Sequence, residues 1–241
     1  MSTLVLLRHG RSTANTSGVL AGWTPGVNLD DHGRKQAEAV AVRLRPVPLA
    51  AIVSSPLDRC QQTLAPVWAD REGAAVIDER LGECRYGDWT GRKISELVNE
   101  PLWKVVQQHP SAAVFPGAEG EGLAATQARA VAAVREWNAK VEASHGPDAV
   151  WLACSHGDVI KAILADAYGL HLDLFQRIVV DPCSVSIVRY SETRPFVVRV
   201  NDIGGDLTGL LPPPPKAAAE GAEPEKVDAS DAVVGGGAGP N

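Results

Sequence analysis

The chain has 241 residues, 45% of them hydrophobic and 22% charged, with a formal net charge of −6. That length and composition fit a soluble globular domain with a sizeable core. The acidic balance argues against a nucleic-acid partner, which needs a basic footprint, but permits an anionic small substrate in a locally positive pocket.

In chain order, the first apolar run, Leu4–Leu7, reads as a buried strand and ends at Arg8–His9–Gly10. Asp31–Leu44 reads as a helix, with Ala37, Val40, Ala41 and Leu44 on one face. Ala51–Val53 is the second strand, and Pro56 suits the first turn of a helix after it. Ala75–Ile77 is the third strand. Residues 92–122, interrupted by Pro101, Pro110 and Pro116, form an insertion whose Trp103 and Phe115 serve either a substrate-selecting lid or plain packing. Leu123–Ser144 is a long helix offering Ala128, Val131, Ala132, Val134, Trp137 and Val141 for burial. The fourth strand, Ala149–Ala153, stops at Ser155–His156–Gly157, and the helix Asp158–Tyr168 follows. Val185–Arg189 and Val197–Val200 close the series. Strands alternating with helices imply βα units and a largely parallel sheet. The expected fold is α/β with three layers, α/β/α, about six strands and a small helical insertion over the active site.

Residues 1–204 are expected to form this domain, with the insertion at about 92–122. Residues 205–241 are rich in Pro, Ala and Gly and lack any aromatic side chain. Such a tail buries too little surface to offset its chain entropy and is expected to be disordered. Pro212–Asn241 also carries five acidic against two basic residues, half of the net charge. The four cysteines (Cys60, Cys84, Cys154, Cys183) show no CxxC spacing and support neither a zinc site nor a disulfide framework. With no basic-then-apolar leader and no apolar run near the roughly eighteen residues of a membrane span, a cytoplasmic protein away from the membrane is expected.

In an open α/β sheet, ligands bind beyond the carboxyl ends of the strands. Two strands delivering His9, Arg8 and His156 to one crevice suit phosphate chemistry, which needs donors around the phosphoryl oxygens and an in-line nucleophile. Gly10 leaves room for close approach of a ligand, and Ser12, Thr13 and Asn15 add short donors. Arg59 lies one turn into the helix after the second strand, from where it can reach back over the crevice, and a guanidinium grips phosphate bidentately. Glu83, in a glycine- and aromatic-rich loop, is a candidate proton donor if its environment raises its pKa. The amides at His156–Gly157 start a helix and favour an anion. His32, His109, His145 and His171 sit in polar contexts without metal spacing.

Five motifs in order, LLRHGRSTAN, AGW with NLDDHGRKQA, SSPLDRCQQT, LGECRYGDWTG and CSHGD, resemble the histidine phosphatase superfamily, the phosphoglycerate-mutase-like enzymes. The likeness spans about Leu4 to Asn201 and is nearest to actinobacterial members described as phosphomutases or acid phosphatases. It implies that His9 becomes phosphorylated, that Arg8, Arg59 and His156 hold the phosphoryl oxygens, and that Glu83 moves the proton. It also implies that Asn15, Ala21, Gly22 and Gly157 complete the substrate pocket, with no metal and no organic cofactor. The substrate would be a phosphorylated small molecule, and a homo-oligomer is compatible with the sequence. The insertion lacks the adjacent arginine pair of the cofactor-dependent mutases, and Asp158 replaces their Asn after the second His–Gly. Hydrolysis of phosphate monoesters is therefore favoured over the alternative, a phosphoglycerate-type mutase. A catalytically silent phosphate-binding regulatory module is the alternative from another class.

Overall fold

A computed structural model describes residues 2–69, 71, 75–205, 234, 235 and 237. Strands β1 (Ser2–Arg8), β2 (Leu49–Ser54), β3 (Val76–Ile77), β4 (Val150–Ser155), β5 (Val185–Tyr190) and β6 (Pro195–Asp202) form one sheet in the order β3-β2-β4-β1-β5-β6. The first four run parallel; β5 is antiparallel to β1, and β6 to β5. The α-helices are α1 (Thr13–Ser17), α2 (Asp31–Leu44), α3 (Asp58–Trp68), α4 (Ile94–Leu97), α5 (Pro101–Gln108), α6 (Leu123–His145) and α7 (Gly157–Tyr168), and short 3-10 turns at Glu79–Leu81 and Gly87–Trp89 flank Glu83.

Strand alternation explains the layers. Val5 and Leu7 of β1 face one way and pack with Val40, Ala41 and Leu44 of α2 and with Leu64 and Val67 of α3. Leu4 and Leu6 face the other way, into a core shared with α6 and α7. The central strand β4 does the same, with Leu152 and Cys154 on the first face and Trp151 and Ala153 on the second. A strand buried on both faces therefore appears as a continuous apolar run. The expected three-layer α/β architecture is present.

Two local expectations change. Pro56 does not begin a helix: α3 starts at Asp58 with Leu57 as its N-cap, and Pro56 lies in the preceding turn. On α6 the buried residues include Ala130, Ala133, Asn138 and Val141, whereas Ala128 and Ala132 are exposed. Asn138 is buried because its Oδ1 accepts from Trp151 Nε1 (2.7 Å) and from Ser2 Oγ (3.1 Å). The insertion folds back as packing: Trp103 stacks on Trp89 at 6.3 Å, and Phe115 meets Tyr86 and Trp89 edge-on at 4.9 and 5.4 Å. The expected tail, residues 205–241, falls outside the described residues except for Gly205, Val234, Gly235 and Gly237. Among the described residues no helix is long and apolar enough to cross a membrane.

Candidate active site

Register brings the two histidines together. In the β1/β4 ladder Arg8 stands opposite Ser155, so His9 and His156 leave adjacent parallel strands side by side. The His9 amide donates to the Ser155 carbonyl at 3.0 Å, and the two imidazole rings lie 5.1 Å apart. The neighbouring strand β2 ends at the same level, with Ser54 opposite Cys154. Ser55 therefore comes within reach, its Oγ 2.7 Å from His156 Nε2.

The His9 ring is oriented by its own loop. Nδ1 lies 2.7 Å from the Gly10 carbonyl, which can only accept, so Nδ1 carries the proton and Nε2 keeps its lone pair. Arg59 Nε donates to that Nε2 at 3.3 Å. Burial and the Arg59 and Arg8 cations hold the imidazole pKa well below the ordinary 6.5, so the ring is neutral at neutral pH. Burial and Arg59 do the same to His156. His156 Nδ1 is buried without a hydrogen-bond partner among the described residues, 3.9 Å from Glu83 Oε2. Buried polar atoms are seldom left unsatisfied, and a ligand oxygen would serve this one.

The cations are built in as rigidly. Arg8 is fully buried, and its Nη1 donates to the Val180 carbonyl at 2.7 Å. Arg59 is also buried, and its Nη2 donates to the Gly22 carbonyl at 2.9 Å. Behind them the Cys183 amide donates to the carbonyls of Arg8 (3.1 Å) and His9 (3.2 Å). Cys183 does so from a left-handed backbone with φ of 56°, strain of the kind that gathers at functional sites.

Glu83 is buried beside these groups, its Oε1 accepting from the Cys84 amide at 2.9 Å. Burial, reinforced by the Asp158 carboxylate, raises its pKa to about 7, against the pull of Arg59. The Glu83 carbonyl accepts from Trp23 Nε1 (2.5 Å) and Arg129 Nη2 (3.0 Å). Arg129 also donates to the carbonyls of Arg80 (2.6 Å) and Gly82 (2.8 Å), and it pairs with Glu121. Gly82 is required here, since a Cβ would come within 2.3 Å of the Trp23 ring.

A cavity of about 260 Å³ opens over the group, and His9, Asn15, Ala21, Gly22, Arg59 and Glu83 all line it. Arg8, His156 and Gly157 are buried and are not among its described lining residues; Gly157 is the first residue of α7. Six of the expected site residues therefore line one crevice, although Asn15 already uses its Oδ1 to accept from the Ser12 amide at 3.0 Å. Gly10 differs from expectation: a Cβ there would lie 2.7 Å from the Gly33 carbonyl, so the close approach is to protein backbone. Ser55, Trp23, Arg129 and Tyr86 were not foreseen. Among the described residues no cluster of His, Cys, Asp or Glu could hold a metal ion.

Residues 4–203 match the family model of the histidine phosphatase superfamily (branch 1). The chain belongs to the histidine phosphatase superfamily. It is 30% identical over 186 residues to the 2,3-bisphosphoglycerate-dependent phosphoglycerate mutase 2 of Gloeobacter violaceus, covering 76% of this chain and 83% of that one. It is 28% identical over 204 residues to phosphoserine phosphatase 1 of Hydrogenobacter thermophilus, covering 83% and 92%. Among solved structures, Bacillus stearothermophilus YhfR superposes with a TM-score of 0.76 at 28% identity, covering 85% of this chain and 98% of that one. Phosphatases and mutases thus both stand among the relatives of this histidine phosphatase superfamily member.

Proposed function

We propose that this chain is a metal-independent phosphomonoesterase acting through a phosphohistidine at His9. One observation carries the reading: a neutral His9 Nε2 faces a crevice in which Arg59 and a buried carboxyl titrating at about 7 converge. In the first step Nε2 attacks phosphorus and the bond to the leaving oxygen breaks. Arg8, Arg59 and His156 Nδ1 hold the phosphoryl oxygens, whose charge they stabilise as it redistributes. Arg59 Nε turns from Nε2 to a phosphoryl oxygen as the nucleophile engages. Protonated Glu83 gives its proton to the departing oxygen. In the second step water attacks the phosphohistidine, Glu83 takes the water proton, and the P–N bond breaks to return neutral His9 and inorganic phosphate.

Hydrolysis is preferred to phosphate return because of the crevice wall. Arg59 is the sole arginine or lysine among the described lining residues, and the insertion contributes Ile94, an apolar group. A bisphosphorylated sugar acid needs further cations for its second phosphate and carboxylate. The likeness to the Gloeobacter mutase supports the second reading, a phosphoglycerate-type mutase. Incubation with each phosphoglycerate isomer separates the two: phosphate release should outrun isomer interconversion, and the reverse order would establish the mutase. A cytoplasmic setting is part of the proposal and is supported by four free, buried cysteines. The placement near actinobacterial phosphomutases and acid phosphatases is also part of it and rests on the five motifs alone.

A further inference from the structure

Three residues of the C-terminal stretch lie in the crevice itself. Val234 is buried in the apolar cluster that includes Leu20 and Tyr86. The Gly235 amide donates to Asp158 Oδ2 at 2.9 Å, the same oxygen that accepts from the Tyr86 hydroxyl at 2.9 Å. The carbonyls of Gly235 and Gly237 accept from Arg8 Nη2 at 3.4 and 3.0 Å. Gly235 has φ of 78°, and a Cβ there would stand 3.0 Å from Leu20 Cδ1. The positive φ at Gly235 and its closeness to Leu20 favour glycine there, and its carbonyl and that of Gly237 both reach the Arg8 guanidinium.

We propose that the stretch carrying Val234, Gly235 and Gly237 is an intramolecular strap that competes with the phosphate ester for Arg8. This rests on the crevice being the phosphate site. The strap presents neutral acceptors, whereas phosphate presents charged ones, and charge-assisted hydrogen bonds are about twice as strong. A phosphate group therefore displaces the strap. Release also leaves no orphaned carboxylate, because Asp158 keeps the Tyr86 hydroxyl and Lys161 Nζ, the latter 3.8 Å from Oδ1. Weak contacts suffice to hold the strap, since it belongs to the same chain and its seating is an intramolecular event. Val234 and Leu20 both line the crevice, so a leaving group of apolar character gains the Val234 position when the strap withdraws.

The test compares the full chain with one ending at residue 231, titrating each with inorganic phosphate by calorimetry. A strap seated about nine-tenths of the time weakens apparent phosphate affinity about tenfold, so truncation should tighten binding by that factor. A synthetic peptide of residues 233–241 should then compete with phosphate for the truncated chain. Val234→Asp in the full chain places a charge in the apolar cluster and should tighten phosphate binding as truncation does, which keeps the test available if the shortened chain does not fold. Unchanged or weaker phosphate binding in both variants would overturn the strap and make the stretch a permanent wall. Failure of every form to bind phosphate would overturn the phosphate site itself and the strap with it.

Discussion

Glu83→Gln removes one ionisable proton from a buried position with almost no change in volume. Glu83 titrates at about 7 instead of 4.5, and that displacement corresponds to about 3 kcal/mol of resistance to ionisation. The folded chain holds this proton more tightly than the unfolded one. Its stabilising effect is therefore complete below pH 4.5, declines as pH rises, and is gone above about 7. Gln cannot ionise. Urea unfolding should thus show the variant gaining on the wild type by about 3 kcal/mol between pH 4.5 and pH 8. Catalysis should move the opposite way. Loss of a positioned acid costs about 10²–10⁴ in rate for an alkyl phosphate, whose leaving oxygen needs the proton, and far less for an aryl phosphate. The wild-type kcat/KM should fall above a limb near pH 7, and the variant should lack that limb. A limb that persists in Glu83→Gln, or a stability difference that is the same at both pH values, would refute the assignment.

Two further outcomes follow from the same contacts. Asp158 is the charge that helps raise the Glu83 pKa, so Asp158→Asn should move the alkaline limb of kcat/KM to lower pH, and an unmoved limb would exclude that role. Arg129 holds the carbonyls of Arg80, Gly82 and Glu83, and hydrogen bonds from a charged donor contribute roughly 1.5–3 kcal/mol each before the loop relaxes. Arg129→Ala should therefore cost about 2–4 kcal/mol in chemical unfolding and lower kcat while leaving KM nearly unchanged, because the phosphate ligands stay in place. A raised KM with unchanged kcat would contradict this positioning role.

Much of the frame could be read from the sequence because its physics is local. β1 and β4 are apolar on both faces and stop at polar residues, so their ends and the histidines beyond them were visible. What no single sequence displays is register. That Arg8 stands opposite Ser155, and Ser54 opposite Cys154, is what places Ser55 on His156. Arg129 gave no signal, since an arginine on a helix is ordinarily a surface residue, and its three carbonyl partners come from a distant loop. On α6, Val134 and Val141 are buried as expected, whereas Ala128 and Ala132 are exposed because alanine suits core and surface alike, and a buried Asn138 resembles a polar position. At Gly10 the expected close approach is a ligand's, whereas the group that comes near is the Gly33 carbonyl, which only the tertiary structure supplies. Asp158 was noticed as a departure from the mutases, yet its effect on Glu83 depends on burial that sequence does not show.

The central claim is covalent transfer to His9 Nε2. Rapid acid-free quenching during turnover of a phosphate ester, followed by peptide mapping, should find an acid-labile phosphoryl group on His9. With an aryl phosphate, whose leaving group needs no proton, it should accumulate in Glu83→Gln, where the water-activating carboxylate is gone, and be absent from His9→Ala, whose folding is checked by circular dichroism. Phosphate release by His9→Ala at the wild-type rate, or a phosphoryl group mapped to another residue, would contradict the account.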